Sequence, residues 1–222
     1  MTTPLRLSPI QDALQPIKGS WREINGMPAL MASLNESAIA SHLGISDLSF
    51  LTRFGVKGAG ATDWLNRQNI PVPEHPNSWH SLCGGGIVAR LGMSEFLIED
   101  SLSTLIAPQL AEACQQPPPK VYPVLRQDLA IALCGQAIHE LLLQTCSFNF
   151  CALALSERPV ILTSLIGVAV TIIPGEQKGF PVYRIWCDGT FGMYLWQTLL
   201  EIIEELGGGV VDPQCITELN DL

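Results

Sequence analysis

The chain of 222 residues has little positive charge: 12 Lys and Arg residues stand against 21 Asp and Glu, a formal net charge of −9. Binding to nucleic-acid phosphates requires clustered Lys and Arg side chains. We therefore expect no nucleic-acid partner, and we attribute the acidic surplus to solubility.

Long uninterrupted hydrophobic runs are also missing. The most apolar stretch, residues 159–173, contains Thr163, Ser164 and Gly167. A helix that spans a bilayer needs about 20 apolar residues, so this shorter stretch predicts buried strand and no membrane partner. Residues 1–10 contain two prolines and no apolar core of a secretory signal, so we expect a cytoplasmic protein.

The chain lacks C-x-x-C pairs, although it contains seven cysteines. Cys146 and Cys151 have no histidine at metal-ligand spacing beside them. All but Cys215 lie inside or beside apolar segments, which predicts reduced, buried thiols and no metal site. The seven are Cys83, Cys114, Cys134, Cys146, Cys151, Cys187 and Cys215.

Apolar residues make up 47% of the chain and charged residues only 15%, and the mean hydropathy is +0.27. A chain of this length can bury a sizeable core. Either the core is large or a partner covers part of an apolar surface. The composition leaves both interpretations open.

Prolines and glycines indicate how the chain is divided. They punctuate residues 1–44, which predicts an irregular N-terminal arm with room for a short helix. The run Pro117, Pro118, Pro119 stops any helix and forms a stiff spacer. It marks the boundary between a first half, 45–116, and a second half, 117–210, with a tail at 211–222.

The same order of elements, turn, helix, strand, strand and helix, occurs in both halves. Residues 58–65 parallel 135–142, and residues 86–89 parallel 167–170. The pattern predicts an α+β fold of two repeated β-α-β halves. We expect strand residues between 48 and 56, helix 61–68, strands 81–91 and 95–99, helix 103–114, strand 130–133, helix 136–145, strands 148–155, 161–173 and 181–187, and helix 192–206.

No motif in the chain is typical of catalysis. The four histidines are dispersed, and Gly84 to Gly86 precede a strand, which is the wrong context for a phosphate loop. Glu99 and Asp100 stand before one expected helix and Asp188 before another. Capping of these helices explains the carboxylates better than acid–base chemistry does. The histidines are His42, His75, His80 and His139.

Residues 47–58 read D-L-S-F-L-T-R-F-G-V-K-G. This segment resembles the D-L-S-x-L-x-R-F-G-V-K-G opening of the sarcosine oxidase gamma subunit family. Residues 77–79, 86–97 and 191–196 are similar to it as well, so the resemblance covers about 45–206. That family is similar in turn to the folate-binding domain of the glycine-cleavage T-protein, an aminomethyltransferase. The resemblance therefore implies an internally duplicated, T-protein-like fold.

In that oxidase family other subunits hold the flavins, the nicotinamide cofactor and the zinc. The resemblance thus implies a gamma-like chain that binds no metal or flavin and associates with flavin-dependent oxidase or dehydrogenase subunits, or with itself. Aminomethyltransferases carry an acidic pair where Ala89 and Arg90 stand here. A methyl group and a cation cannot stabilise a developing iminium, so we expect no catalytic residue for aminomethyl transfer.

The resemblance carries one folate contact over to this chain. The T-protein motif G-E-x-G-F has a loose counterpart at residues 175–180, which makes Glu176 the candidate contact to tetrahydrofolate. A solvated turn glutamate is the alternative.

Three functional hypotheses follow from these observations. The first is a non-catalytic sarcosine oxidase gamma-like subunit, or binding module, of an amine-oxidising, folate-linked one-carbon system. The second is a stand-alone tetrahydrofolate-binding protein or aminomethyltransferase-like enzyme. The third is a scaffold that retains neither function.

Overall fold

The structure is a computed structural model that describes residues 6–31, 36–177 and 179–217. The chain divides into two compact units, each assembled from segments that are distant in sequence. Unit 1 takes the described residues of Met1–Phe50, Asp128–Leu153 and Thr163–Ile216. Unit 2 takes those of Leu51–Gln127, Ala154–Leu162 and Thr217–Leu222.

Strands predominate over helices in the described residues. The strands are β1 (Ser20–Ile24), β2 (Met27–Met31), β3 (Gly44–Asp47), β4 (Arg53–Lys57), β5 (Ser78–Ser81), β6 (Ile87–Arg90), β7 (Glu95–Glu99), β8 (Tyr122–Val124), β9 (Leu129–Cys134), β10 (Ile161–Leu165), β11 (Val168–Gln177), β12 (Phe180–Cys187) and β13 (Gly209–Val210). The helices are α1 (Gln11–Leu14), α2 (Glu36–His42), α3 (Ala61–Arg67), α4 (Ile106–Ala113), α5 (Ile138–Thr145), α6 (Gly192–Glu205) and α7 (Gln214–Thr217).

Unit 1 is built on a six-stranded sheet in the order β10-β11-β12-β9-β3-β13. The pairs β11–β12, β12–β9 and β9–β3 are antiparallel, and β13 runs parallel to β3. Every residue of β9 is buried, which explains its unbroken apolar sequence. Helix α6 buries Leu195, Trp196, Leu199 and Ile203, which recur at helical spacing.

Unit 2 is built on a five-stranded antiparallel sheet in the order β5-β6-β7-β4-β8. One apolar core joins this sheet to helices α3 and α4. Its members include Phe54, Val56, Trp64, Leu65, Val88, Phe96, Ile98 and Leu110. The two units together give a mixed α+β fold in which sheets dominate.

The predictions for helices 61–68, 136–145 and 192–206 and for strand 95–99 are confirmed by α3, α5, α6 and β7. The strand predicted over 81–91 is shorter: β6 covers only Ile87–Arg90 and pairs with β7. Helix α4 begins three residues later than residue 103, its expected first residue. No helix among the described residues is long and apolar enough to cross a membrane.

The predicted irregular arm is wrong for the described residues between 6 and 31. Strands β1 and β2 form an antiparallel hairpin there. Its turn is Asn25-Gly26, in which both residues have positive φ (52° and 72°), as a two-residue hairpin turn requires. Asn25 Nδ2 also donates to the Phe50 carbonyl at 3.1 Å, which fastens the hairpin to unit 1. Residues 1–5, 32–35 and 218–222 of the predicted arm and tail lie outside the described residues.

Two strand predictions in the second half are also wrong. Residues 148–155 contain 3-10 turns, at Phe150–Ala152 and from Leu155, instead of a strand. The single strand predicted over 161–173 is two strands, β10 and β11, separated at Ile166-Gly167, where φ is 44° and 83°. Strand β11 then continues to Gln177, through most of the predicted loop 174–179. Lys178 of that loop lies outside the described residues.

Candidate functional site

The position at which the resemblance expects an acidic pair lies at the end of β6 in unit 2. Ala89 is fully buried between Trp79 on β5 and Leu97 on β7, its cross-strand partners. Arg90 is half-buried, and its guanidinium lies 5.6 Å from the centre of the Phe96 ring.

The guanidinium of Arg90 is committed to backbone carbonyls. Four of them accept hydrogen bonds from it: Gly92 from Nε at 3.2 Å, Pro73 and Glu74 from Nη1 at 3.0 and 2.7 Å, and Met93 from Nη2 at 2.7 Å. Arg90 thus fixes the loop before β5 and the turn after β6. These residues do not fit the carboxylate role that aminomethyl transfer requires.

Glu176, the folate contact implied by the resemblance, lies near the end of β11. Its side chain is exposed, and its cross-strand partner on β12 is Pro181. Pro174, two residues earlier, is buried, whereas Glu176 near the end of the strand is exposed. Contact between Glu176 and a folate remains a prediction.

The carboxylate of Asp100 is buried and caps α4, as the sequence predicts. It accepts hydrogen bonds from the hydroxyls of Thr52 and Thr104 at 2.7 and 2.9 Å and from the backbone N–H groups of Ile106 and Ala107 at 2.9 and 3.0 Å. Four donors satisfy both oxygens, so this carboxylate is a structural group.

Glu99 forms a buried ion pair, a role that the capping interpretation of the two carboxylates did not include. Its carboxylate lies 3.2 Å from Arg53 Nη1, and both side chains are buried, at 0% and 2% exposure. Asp188 accepts from the Thr190 N–H and hydroxyl at 2.8 and 2.7 Å, which caps the 3-10 turn leading into α6. These hydrogen bonds lower the pKa of Asp188.

The side chains of His42, His80 and His139 make hydrogen bonds, and the first two do so with backbone carbonyls. His42 Nε2 lies 2.7 Å from the Leu206 carbonyl, and His80 Nδ1 lies 3.3 Å from the Pro71 carbonyl. A structural role explains both. His139 makes side-chain contacts instead.

His139 on α5 joins a tyrosine and a cysteine in unit 1. Its Nε2 lies 2.9 Å from the hydroxyl of Tyr183 on β12, and its Nδ1 lies 3.7 Å from Cys151 Sγ. Tyr183 is buried and Cys151 is exposed, so the row of groups leads from the core to solvent. Burial, with a smaller contribution from Cys151, raises the pKa of Tyr183 to about 12.

The prediction that the cysteines are buried holds for only some of them. Cys114, Cys134 and Cys187 are buried, Cys146 is half-buried, and Cys83 and Cys151 are exposed. The side chain of Cys215 lies outside the described residues. Burial, with smaller contributions from nearby carboxylates, raises the pKa of Cys187 to about 12.

Among the described residues, no group of three or more His, Cys, Asp or Glu is placed to hold a metal ion.

Comparison with solved structures decides the fold. The aminomethyltransferase T of the glycine cleavage system from Bartonella henselae is similar to this chain with a TM-score of 0.73 and 13% identity, over 97% of this chain and 62% of that one. The chain has a T-protein-like fold. A chain of the heterotetrameric sarcosine oxidase from Corynebacterium sp. U-96 matches with a TM-score of 0.62 and 20% identity, over 92% of this chain and 97% of that one.

These two likenesses confirm the predicted relation at the level of the fold. The chain spans about 62% of the length of the T protein that it matches, whereas it spans nearly the whole of the oxidase chain. The sequence matches no protein-family model and no curated protein. The T-protein-like fold is therefore established by structure, and the internal duplication remains a prediction.

Proposed function

We propose that the chain is a non-catalytic subunit of a heteromeric amine-oxidising assembly similar to sarcosine oxidase, with a folate-related role. The observation that carries the proposal is the fold likeness to one chain of a heterotetrameric sarcosine oxidase over 97% of that chain.

The region around Arg90 supports a non-catalytic role. Four carbonyl contacts hold its guanidinium, and the neighbouring Ala89 is completely buried. Neither residue can stabilise a positive charge that develops on a folate amine. The partners under this proposal are flavin-dependent oxidase or dehydrogenase chains.

Exposed apolar side chains in both units provide a means of testing association. Leu143 in unit 1 and Leu125 in unit 2 are 77% and 80% exposed. Large apolar side chains at an association surface lose solvent contact when a partner binds. Glutamate at either position would disturb a contact made there while leaving the core of its own unit unchanged.

The experiment is purification of the tagged full-length chain from its native host, followed by size-exclusion chromatography and mass spectrometry of the eluate. We expect a stoichiometric flavoprotein chain to co-purify. Leu125→Glu and Leu143→Glu serve as a matched pair, since loss of the partner in one and not in the other assigns the face. A chain that elutes alone as a monomer, with no flavin absorbance, would contradict the proposal.

A second candidate function is tetrahydrofolate binding by the chain on its own. The TM-score of 0.73 to an aminomethyltransferase favours it, and Glu176 is its one candidate contact. Calorimetry with tetrahydrofolate should show binding that Glu176→Gln weakens and that Glu201→Gln, an exposed position on α6, leaves unchanged. Absence of heat at near-millimolar tetrahydrofolate would rule out this candidate without affecting the first.

A fold of two duplicated β-α-β halves belongs to the same proposal. The strand orders β5-β6-β7-β4-β8 and β10-β11-β12-β9-β3-β13 support it, because each sheet places a hairpin beside a strand that leads into a helix.

A further inference from the structure

The row of groups formed by Cys151, His139 and Tyr183 has no part in the proposed function. It holds an exposed thiol, an imidazole 3.7 Å from the sulfur and a hydroxyl 2.9 Å from the other ring nitrogen. A nucleophile, a base and a group that orients the base form the usual arrangement of an activated nucleophile. We propose that Cys151 is a reactive thiol that exchanges with small disulfides, with His139 as its proton acceptor and Tyr183 as a positioning residue.

The Tyr183 hydroxyl can form a hydrogen bond with Nε2 of the imidazole whether or not that nitrogen carries a proton. Because its pKa is about 12, the hydroxyl is neutral at physiological pH and can either donate to Nε2 or accept from it. When Nδ1 takes the thiol proton, both ring nitrogens become donors. Nε2–H then donates to the Tyr183 oxygen and Nδ1–H to the Cys151 thiolate, so both ends of the imidazolium are satisfied.

The surrounding structure holds the three side chains in place. His139 lies on α5 and Tyr183 on β12, two regular elements of unit 1. The Phe150 ring lies 5.5 Å from the Tyr183 ring. The backbone N–H of Cys151 donates to Asn149 Oδ1 at 3.2 Å, which stabilises the 3-10 turn that carries the thiol. A base held on rigid elements loses little entropy when it acts.

The small disulfide is both the oxidant and the source of the leaving group in this step. The proton moves from Cys151 Sγ to His139 Nδ1, and the thiolate attacks one sulfur of the small disulfide. The new S–S bond forms as the original one breaks, and the departing thiolate takes the proton from Nδ1. Cys151 is thereby oxidised to a mixed disulfide while half of the reagent is reduced to a thiol.

Other cysteines in the same molecule provide matched controls. Cys83 is an exposed thiol in unit 2, so it reports the reactivity of an accessible cysteine. Cys187 is buried with a pKa raised to about 12, and it should stay unmodified. Because both thiols are exposed, a difference between the Cys151 and Cys83 rates measures activation by His139 and not access to solvent.

The experiment treats the full-length chain with 4,4′-dithiodipyridine or oxidised glutathione and follows each cysteine by peptide mass spectrometry. At neutral pH we expect Cys151 to react about tenfold faster than Cys83, because His139 Nδ1 lies 3.7 Å from its sulfur and can accept the thiol proton during the attack. His139→Gln should bring the Cys151 rate down to that of Cys83 and leave Cys83 unchanged. Tyr183→Phe should lower the Cys151 rate by a smaller factor, about threefold.

The pH profile distinguishes positioning from a merely structural role. The pH dependence of the Cys151 rate should differ from that of Cys83 in the wild type, because His139 accepts the thiol proton, and should match it in His139→Gln. Tyr183→Phe, which removes the hydroxyl 2.9 Å from His139 Nε2, should move the Cys151 profile part of the way towards that of His139→Gln. Equal rates for the two cysteines in the wild type would overturn the proposal, and so would a folded His139→Gln chain with an unchanged Cys151 rate. If His139→Gln does not fold, the wild-type rate ratio decides alone.

Discussion

The sheets of the two units each place an antiparallel hairpin beside a strand that leads into a helix, but they differ in charge at the end of a central strand. In unit 2, β7 ends at Glu99 and is followed by Asp100, and both carboxylates are completely buried. In unit 1, β12 ends at the buried thiol of Cys187, and the carboxylate that follows, Asp188, is exposed. The end of a central strand thus carries a buried polar network in one unit and a buried thiol in the other.

The turns that follow β4 and β9 are more alike than the strand ends. Each begins with a glycine of positive φ, Gly58 at 116° and Gly135 at 112°, and each leads into a helix. A Cβ atom on Gly58 would lie 2.2 Å from the Lys120 carbonyl oxygen, and one on Gly135 would lie 2.4 Å from the His42 carbonyl oxygen. The backbone approaches so closely that both positions require glycine.

The largest effect should come from breaking the buried ion pair of unit 2. Arg53→Met leaves the Glu99 carboxylate buried without this partner, so we expect the free energy of unfolding to fall by about 4 kcal/mol. Urea denaturation measures the loss, and hydrogen exchange should place it in unit 2. The double variant Arg53→Met/Glu99→Leu should recover part of the stability. A loss below about 1 kcal/mol in the single variant would show that the pair behaves like a surface ion pair.

The next largest effect should follow Asp100→Ala, which removes the acceptor for four donors. Buried N–H and hydroxyl groups without an acceptor are costly, and the cap of α4 is lost, so we expect a loss of about 3 kcal/mol. Thermal and urea unfolding are the measurements. Asp100→Asn keeps one acceptor oxygen and should lose less. Equal stability of Asp100→Ala and the wild type would mean that the network contributes nothing.

The glycine turns should respond equally in the two units. Gly58→Ala and Gly135→Ala combine a strained φ with a close backbone contact, so each should lose about 2–3 kcal/mol of unfolding free energy. Gly167→Ala is the matched control, because its φ is 83° and no atom lies within 4 Å of the added Cβ. It should lose about 1 kcal/mol. Unequal losses at Gly58 and Gly135 would weaken the case for two equivalent halves.

The sequence predicts these turns and the helices after them because glycine, apolar spacing and helix ends act locally. Helix α6, for example, is readable from its buried leucines and from Gly207, which follows it with φ 79°. The hairpin β1–β2 is harder to read, since β1 is exposed along most of its length and shows no apolar alternation. The dipeptide Asn25-Gly26 is nevertheless typical of a two-residue hairpin turn, which the prediction of an irregular arm from proline and glycine content overlooked.

The candidate sites likewise combine residues that are visible in the sequence with contacts that only the folded chain shows. The alanine and arginine at 89 and 90 are visible in the sequence, but the four carbonyls that hold Arg90 depend on the folded loops. His139 is 12 residues from Cys151 and 44 from Tyr183, so no short motif joins them. His139 lies on α5, Cys151 in the 3-10 turn at 150–152 and Tyr183 on β12, so the three groups meet only in the folded unit.

The smallest effect should come from Asp188→Asn, the exposed counterpart of the Asp100 variant. The folded-state pKa of Asp188 is lowered, so its charge stabilises the fold above the unfolded-state pKa of about 3.9, and this stabilisation is lost as the pH falls through the folded-state pKa. We therefore expect a slightly lower melting temperature for Asp188→Asn at neutral pH and a difference that shrinks below about pH 4. Thr190→Val, which removes one of the two donors, should give part of the same difference. A difference that grows as the pH falls would have the wrong sign for a capping carboxylate, and it would mean that the strand end of unit 1 is stabilised by some other group.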